Sequence, residues 1–374
     1  MSQTGVMTRG RLIAFACAAA VIFFLLVEIV LRAAGVAFER PRADHAMIVD
    51  LSNEAVQVAL LQRDDRLLWR ISPDVVFDNR TVNSLGFLDR EHPVATPPDT
   101  IRVLCLGDSC TAGGDPPYTA LLEDDLNACG RRANPALKFE TINAGVWSYS
   151  TAQGVILAGD LIPSLKPHVV VIYYGLNDHT LTASGLTDAE ALSRPEAHTR
   201  ANREFPPLSP IRRLRIYQAL NFVFHKFELA QLRRRIEREN RLRVPLDQYT
   251  KNLERMVEIT RANGAIPVLV TFPQNFKPGG AIQFFADRGI LKDFETFRAD
   301  HERYVEATRA VAQTLDVPLV DLEASFPRER DSLFIVDGIH HTPAGRELIA
   351  RLLADQICRT LESKHGNFHL VSPH

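Results

Sequence analysis

The sequence predicts an α/β protein with a doubly wound, mostly parallel five-stranded sheet. Short apolar runs, typical of buried strands, alternate with longer amphipathic segments, typical of helices, over residues 101–361. Strands separated by helices require crossover connections, and these place the strands parallel. The composition agrees, because 46% hydrophobic and 24% charged residues are typical of a globular protein with a sizeable core.

Residues 12–31, after a short tail at 1–11, are predicted to be a transmembrane anchor. Apart from Glu28 the segment is entirely apolar, and twenty helical residues match a hydrocarbon core of about 30 Å. Glu28 lies within one turn of the end, where a charged group reaches the headgroups. Gly35-Val36-Ala37 is a poor cleavage site, so we expect an uncleaved anchor; a signal peptide and a buried helix are the alternatives. Arginines flank both ends and leave the orientation open.

Residues 32–100 are predicted to connect the anchor to the main domain. From Arg66 to Leu88 apolar and polar residues alternate around turn-forming Asp78-Asn79 and Leu85-Gly86. This pattern predicts short strands and turns that form a small β appendage.

The main domain is predicted over residues 101–361, followed by a tail at 362–374. Its strands are predicted at Val103–Leu106, Thr141–Ile142, Val169–Tyr174, Ile266–Phe272 and Val317–Val320. Its helices are predicted at Tyr118–Asn127, Ala152–Leu165, Leu246–Asn263 and His301–Leu315, and a last helix follows Thr342-Pro343, a capping residue before a proline. Ligands of such sheets bind beyond the carboxyl ends of the strands, so the loops there are the candidates for chemistry.

Residues 180–244 interrupt the alternation with a basic helical insertion. Between Arg200 and Arg243 there are twelve basic and four acidic residues. Apolar residues at helical spacing also occur there, at Leu220, Phe224, Phe227 and Leu232. One interpretation is an insertion helix with a solvated basic face; the other is a contact surface at 200–243 for anionic lipid headgroups or an acidic glycan. The whole chain has a net charge of −2, which excludes a surface built throughout for nucleic acid.

The five cysteines are too scattered for a disulfide scaffold. None has CxxC or Cys/His spacing, so we expect no metal site. A single disulfide among them stays open at this point.

Residues suited to catalysis follow four of the five predicted strands. Ser109 follows the first strand and opens a helix, where a serine is placed for nucleophilic attack and its N–H for an oxyanion. Gly145 follows the second strand and leaves its N–H accessible, and Asn177 follows the third and offers a side-chain amide. Asp337 and His340, three apart, follow the fifth, where a carboxylate can orient an imidazole.

This combination indicates a serine hydrolase, because the order Ser, Asp, His is that of such enzymes on α/β sheets. The sequence nevertheless has no G-x-S-x-G motif, since Asn83-Ser84-Leu85-Gly86 lacks the first glycine. An α/β-hydrolase of the usual lipase kind is therefore disfavoured.

Four separated blocks resemble those of the GDSL, or SGNH, hydrolase superfamily. They are Gly107-Asp108-Ser109, Gly145 within NAGVWSYS, Gly175-Leu176-Asn177-Asp178 and Asp337-Gly338-Ile339-His340. The resemblance implies a flavodoxin-like SGNH fold over about residues 101–361 and ester hydrolysis through an acyl-enzyme, without metal or cofactor. It implies that Ser109 is the nucleophile, His340 the general base and then acid, and Asp337 its orienting group. The oxyanion hole would consist of the Ser109 N–H, the Gly145 N–H and the Asn177 side chain.

Two positions depart from that pattern or compete with it. Cys110 stands where the family often has a bulkier apolar residue, and we expect its side chain to point into the core. His341 directly follows His340, but the D-x-x-H spacing selects His340. Asp108 and Asp178 are expected to brace their loops.

The sequence thus predicts a single-pass serine esterase of the cell (inner) membrane, with its catalytic domain in the periplasm or outside the cell. The expected substrate is an acyl ester, such as an acetyl ester, of a carbohydrate or envelope glycan. Lipase, lysophospholipase or thioesterase activity, and acyl transfer to a glycan, are the enzymatic alternatives. A catalytically inactive, membrane-tethered binding module is the non-enzymatic one.

Overall fold

The computed structural model describes residues 9–35, 61–73, 76–77, 80–182, 185–195, 214–277, 291 and 293–365. The chain forms two compact units: Met1–His45 with Arg203–Arg234, and Ala46–Asn202 with Arg235–His374. Most of the predicted amino-terminal tail, most of the connector before residue 61, the basic residues of 200–213 and most of the carboxyl-terminal tail lie outside the described residues.

Nine strands and ten α-helices make up the described chain. The strands are β1 (Leu61–Asp64), β2 (Leu68–Ile71), β3 (Val76–Phe77), β4 (Arg80–Thr81), β5 (Thr100–Gly107), β6 (Lys138–Gly145), β7 (Val169–Tyr173), β8 (Ile266–Val270) and β9 (Leu319–Val320). The helices are α1 (Arg9–Ala33), α2 (Ser109–Ala112), α3 (Tyr118–Ala133), α4 (Thr151–Leu165), α5 (Asp188–Ser193), α6 (Arg215–Glu239), α7 (Leu246–Ala262), α8 (Phe294–Thr314), α9 (Leu322–Ser325) and α10 (Pro343–His365).

A parallel five-stranded sheet with the strand order β6-β5-β7-β8-β9 forms the centre of the larger unit, which confirms the predicted fold class. Gly107 at the end of β5 is in register with Gly145 at the end of β6 and with Tyr173 at the end of β7. The loops after these strands therefore begin at the same edge of the sheet.

Both faces of the sheet are buried, as a doubly wound fold requires. Alternate residues of β5 face opposite sides: Val103 and Cys105 belong to one core cluster, Leu104 and Leu106 to the other. The first cluster includes residues of α3 and α10, and the second includes residues of α4 and α7. Burial on both faces explains why these strands are continuous apolar runs in the sequence.

Helix α8 begins earlier than predicted. The apolar periodicity predicts a start at His301, but the helix begins at Phe294. Asp293 caps it, because its side chain accepts a hydrogen bond from the Thr296 N–H at 2.7 Å. Phe294 and the buried Phe297 extend the apolar face of the helix back to this cap.

Helix α1 is the one candidate membrane span among the described residues, by length and apolar composition, with a mean hydropathy of 2.8. Most of its large apolar side chains between Leu12 and Val30 are exposed. Glu28 is largely buried: its carboxylate accepts hydrogen bonds from Arg32 Nε at 2.7 Å and from the Ile216 N–H at the start of α6 at 2.9 Å. The carboxylate thus caps the amino terminus of α6.

The region before the main sheet contains two small antiparallel pairs, β1 with β2 and β3 with β4. Their bounds fall in and just before the region where the sequence predicts short strands. The following segment contacts the sheet, because His92 and Arg102 both bind the carboxylate of Glu140 on β6.

One disulfide joins α3 to α10 through Cys129 and Cys358. The sequence leaves the pairing open, because these residues are separated by 229 positions. Cys105 and Cys110 are buried and free, and Cys17 is exposed on α1.

Candidate active site

Ser109 stands at the carboxyl end of β5, as the first residue of the short helix α2. Asp108 caps this helix through a hydrogen bond from the Cys110 N–H to its Oδ1 at 2.9 Å. The turn aims the Ser109 hydroxyl at His340, whose Nε2 lies 2.8 Å from Ser109 Oγ. The serine is 4% exposed, so its hydroxyl is largely shielded from solvent.

His340 and Asp337 meet within one tight loop before α10. His340 Nδ1 lies 2.5 Å from Asp337 Oδ2, while Asp337 Oδ1 accepts the N–H groups of Ile339 and His340. Gly338 makes the turn possible, because its φ of +67° favours glycine and a Cβ there would lie 2.4 Å from the Asn275 carbonyl oxygen. Burial opposes ionisation of Asp337, but the hydrogen bond to His340 and the nearby positive charge keep the pKa of the carboxyl below its ordinary value.

These three side chains form a continuous chain from hydroxyl to imidazole to carboxylate. A base within hydrogen-bond reach of the nucleophile, oriented by a third group, is the geometry that activates a serine for attack on a carbonyl. The structure therefore brings together the three residues predicted for the triad.

The Asn177 amide lies beside this chain. Asn177 Nδ2 donates to the Tyr149 carbonyl at 3.0 Å and to Asp108 Oδ2 at 3.2 Å. The second bond is at the long end of the normal range, so this N–H is the one nearest to being free. The Ser109 N–H, at the first turn of α2, makes no hydrogen bond to the described residues.

Gly145 is held close to the serine helix. A Cβ at this position would lie 2.2 Å from the Ala112 N, so only glycine fits. Its N–H donates to Asn143 Oδ1 at 3.0 Å, and its role as an oxyanion donor stays a prediction. Ser148, in the same loop, has φ +62° and an N–H without an acceptor among the described residues. The sequence carries no signal that singles out Ser148, because a serine in a loop is usually unremarkable.

Asp108 and Asp178 are both buried and brace their loops, as expected. Asp178 Oδ1 accepts hydrogen bonds from the N–H and the hydroxyl of Thr151, at 3.0 and 2.5 Å, which ties the Asn177 loop to the start of α4. Burial raises the pKa of Asp108 to about 6 and the pKa of Asp178 to about 7.

His341 and Cys110 both point away from the reacting hydroxyl. The His341 ring packs between Phe326 and Phe334, and neither ring nitrogen has a partner among the described residues. Burial lowers the pKa of His341 to about 3. Cys110 belongs to the core, as predicted, and burial raises the pKa of its thiol well above the ordinary value.

Two further residues near the site are not singled out by sequence reasoning. In the sequence Arg243 is only one of the basic residues of the insertion. In the structure its side chain is 14% exposed and forms an ion pair with Asp188, whose side chain is 10% exposed. Only the folded chain brings them together, since they are separated by 55 positions. Within the described ranges no group of three or more His, Cys, Asp or Glu is arranged to hold a metal ion.

Comparison with known proteins identifies related sequences and folds. Residues 105–348 match the model of the GDSL-like Lipase/Acylhydrolase family. The uncharacterized lipoprotein YqeF of Bacillus subtilis (strain 168) is 30% identical over 132 residues, which cover 31% of this chain and 54% of YqeF. The chain thus spans about half the length of that relative.

The chain is also similar to solved structures of low sequence identity. The lipase/acylhydrolase from Enterococcus faecalis is 18% identical, with a TM-score of 0.44 over 70% of this chain and 96% of that one. The acetyl xylan esterase AlAXEase is 16% identical, with a TM-score of 0.41 over 70% of this chain and 100% of that one.

Proposed function

Because this chain belongs to the GDSL-like lipase/acylhydrolase family and is an ester-hydrolysing serine hydrolase, we propose that it is a membrane-anchored esterase. Its proposed substrate is an acyl ester, such as an acetyl ester, of a carbohydrate or envelope glycan. The observation that carries the proposal is the hydrogen-bonded chain of Ser109, His340 and Asp337, at 2.8 and 2.5 Å.

In the proposed reaction, Ser109 Oγ attacks the ester carbonyl carbon while His340 Nε2 takes the hydroxyl proton. Asp337 holds the imidazole with Nδ1 protonated and stabilises the imidazolium that forms. His340 then donates its proton to the departing alkoxide, which leaves an acyl-enzyme. A water molecule attacks that ester in the same way, with His340 again as the base, and releases the acid and free Ser109.

The tetrahedral intermediate needs donors for its negative oxygen. The Ser109 N–H has no acceptor among the described residues, and an oxyanion would replace the 3.2 Å bond from Asn177 Nδ2 to Asp108. The Gly145 N–H stays the predicted third donor, and the Ser148 N–H, which has no acceptor among the described residues, is the second candidate for that place. Each such donor typically contributes about 3–4 kcal/mol to lowering the barrier.

The proposed location is the outer side of the cell (inner) membrane. Helix α1 exposes its large apolar side chains, which is unfavourable in water and favourable in hydrocarbon. The Cys129–Cys358 disulfide suits an oxidising compartment, since disulfides rarely persist in the cytosol. The relative YqeF is named a lipoprotein, which agrees with attachment to a membrane.

The proposed partner of the basic insertion is anionic lipid rather than an acidic glycan. On α6 the side chains of Leu220, Val223 and Phe227 are exposed on one face, and Arg234 and Arg238 continue that face toward the carboxyl end. Apolar side chains followed by arginines fit acyl chains and lipid phosphates together, whereas a glycan offers nothing to the apolar part. This face also favours lipid esters as the second candidate substrate class.

The test uses the full chain in detergent with p-nitrophenyl esters of increasing acyl length. We expect wild-type hydrolysis to be greatest with acetate, Ser109→Ala to lose it while the protein stays folded, and a fluorophosphonate probe to label only the wild type. A preference for long chains would assign the protein to the lipase or thioesterase alternative. Full activity of purified Ser109→Ala would contradict the assigned nucleophile, and unlabelled, inactive, folded wild type would favour a binding module.

A further inference from the structure

We propose that Arg243 is a positioning residue that holds the Asn177 amide in its oxyanion-binding orientation. The proposal rests on the proposed esterase function. It gives the basic insertion a role in catalysis, through a residue that does not itself touch the substrate.

The first step is the contact between Arg243 and the loop after β6. Arg243 Nη2 donates to the Ser148 carbonyl at 2.9 Å and to Asp188 Oδ2 at 2.7 Å, and Nε donates to Asp188 Oδ1 at 3.1 Å. A guanidinium that binds a carboxylate through two nitrogens has a fixed direction. The Ser148 carbonyl is therefore held at a set position, in a residue whose φ of +62° is unfavourable without such support.

The second step fixes the other side of the same loop. Asp188 Oδ2 also accepts the Ser150 hydroxyl at 2.7 Å, and Ser150 caps α4. Tyr149 lies between these two anchored serines, so its carbonyl is held from both sides. That carbonyl accepts the hydrogen bond from Asn177 Nδ2 at 3.0 Å, which sets the rotation of the amide about its last bond.

The third step concerns the backbone of the insertion. The Arg243 N–H donates to the Thr180 carbonyl at 2.9 Å, and the Val244 N–H donates to the Asp178 carbonyl at 2.9 Å. The segment that supplies the guanidinium therefore also pairs with the residues just after Asn177. One residue thus links the loop that carries the amide donor to the loop that orients it.

A permanent cation is suited to this place. Asp188 is largely buried, and Asp108 and Asp178 are fully buried nearby. An uncharged side chain at position 243 would leave Asp188 buried without a counter-charge, which favours rearrangement of the loop. Lysine would keep the charge but could not bind Asp188 through two nitrogens and reach the Ser148 carbonyl at the same time.

The experiment is a double-mutant cycle on the full chain in detergent, with p-nitrophenyl acetate hydrolysis as the readout. We expect Arg243→Gln to lower kcat by about 10–10²-fold with little change in KM. The reason is that a displaced Asn177 amide stabilises the transition state less but leaves substrate binding unchanged. Asn177→Ala alone should cost about 10²–10³-fold in kcat. In the Asn177→Ala background, Arg243→Gln should cost less than about 3-fold more, because the amide that it orients is gone.

Arg241→Gln is the matched control. Arg241 lies two positions away on the same segment, but it pairs at the surface with Glu190, so its loss should leave kcat unchanged. Equal losses from Arg243→Gln with and without Asn177 would overturn the proposal and indicate a general structural role. If Asn177→Ala keeps full activity, the assigned oxyanion hole is wrong. If the wild-type protein itself hydrolyses no ester, the proposed function is refuted.

Arg243→Lys guards against misfolding of the glutamine variant, and the cycle is run with it if Arg243→Gln does not fold. It should show a smaller loss of kcat that also disappears in the Asn177→Ala background. Failure of both variants to give protein with the wild-type circular dichroism spectrum would contradict the proposal, because the arginine would then be required for folding rather than for amide orientation.

Discussion

The adjacent histidines His340 and His341 differ in their hydrogen bonds, and this difference predicts a large effect of substitution at one and a small effect at the other. His340 reaches Ser109 and Asp337 through its two ring nitrogens, whereas the ring nitrogens of His341 have no partner among the described residues. We expect His340→Ala to lower kcat for p-nitrophenyl acetate by about 10²–10⁴-fold. His341→Leu should stay within about 3-fold of wild type, because it removes only unpaired buried nitrogens and keeps an apolar side chain. The reverse result would move the base to His341.

The same histidine pair gives a stability control. The pKa of His341 is about 3 in the folded protein and 6.5 ordinarily, so between these values the unfolded chain binds a proton that the folded chain does not. The free energy of unfolding therefore decreases as the pH is lowered through that window. When the pH is lowered from 6.5 to 4, the thermal midpoint of His341→Leu should decrease by less than that of wild type.

The site residues that the sequence predicts are those with local signals. Asp337 and His340 are three apart, and Ser109 and Asn177 follow apolar strands directly, so order and spacing are enough to place them at one sheet edge. Arg243 gives no such signal. Its partners Ser148 and Asp188 lie 95 and 55 positions away, and a charged residue in a basic segment is usually solvated.

At the scale of elements, the segment before the main sheet is held to β6 by a buried charge network. His92 lies between two carboxylates, with Nε2 at 2.9 Å from Asp89 and Nδ1 at 2.8 Å from Glu140. Asp89 Oδ2 also accepts the Asn143 N–H at 2.8 Å, so the network reaches the strand that ends at Gly145. Burial opposes protonation of His92, but the hydrogen bonds to both carboxylates raise its pKa above the ordinary value of 6.5.

This network predicts a pH-dependent contribution to stability. The folded protein holds the His92 proton more tightly than the unfolded chain, so the contribution is fully present below pH 6.5 and is lost as the pH rises through the higher folded-state pKa. We expect the thermal midpoint of His92→Gln to lie furthest below that of wild type at pH 6 and to approach it at pH 9. A constant difference across that range would show that the ring acts only by packing.

The sheet was predictable at this scale because buried parallel strands are continuous apolar runs. The boundaries were less so: β6 begins at Lys138 and β9 covers only Leu319–Val320. Both are edge strands of the sheet. In β6 the polar residues Glu140 and Asn143 are buried but interrupt the apolar run, so the apolar pattern misses the ends of that strand.

At the scale of the whole molecule, a net charge of −2 averages over unlike parts. Residues 200–243 of the insertion include twelve basic and four acidic residues, while the apolar α1 is the one candidate membrane span among the described residues. Glu28 connects these features, because it lies in α1 and accepts the Ile216 N–H that opens α6. If α1 spans a membrane, α6 therefore begins next to the end of that span.

This arrangement predicts that the exposed face of α6 enters the lipid interface. The test places a bilayer-sensitive fluorophore at Val223→Cys, with Val94→Cys as the matched control, since these valines are 65% and 64% exposed. Both variants carry Cys17→Ala so that the exposed native thiol on α1 is absent, and Cys105 and Cys110 are buried.

In nanodiscs we expect blue-shifted emission from the Val223→Cys label alone, because apolar residues of an interfacial helix lie at the boundary between headgroups and acyl chains. The shift should grow when anionic lipid replaces neutral lipid, since each arginine near the surface contributes about 1 kcal/mol of attraction. High salt should reduce that increase by screening. Identical emission from both labels in every lipid would mean that α6 faces water, and the basic insertion would then have no membrane contact through this face.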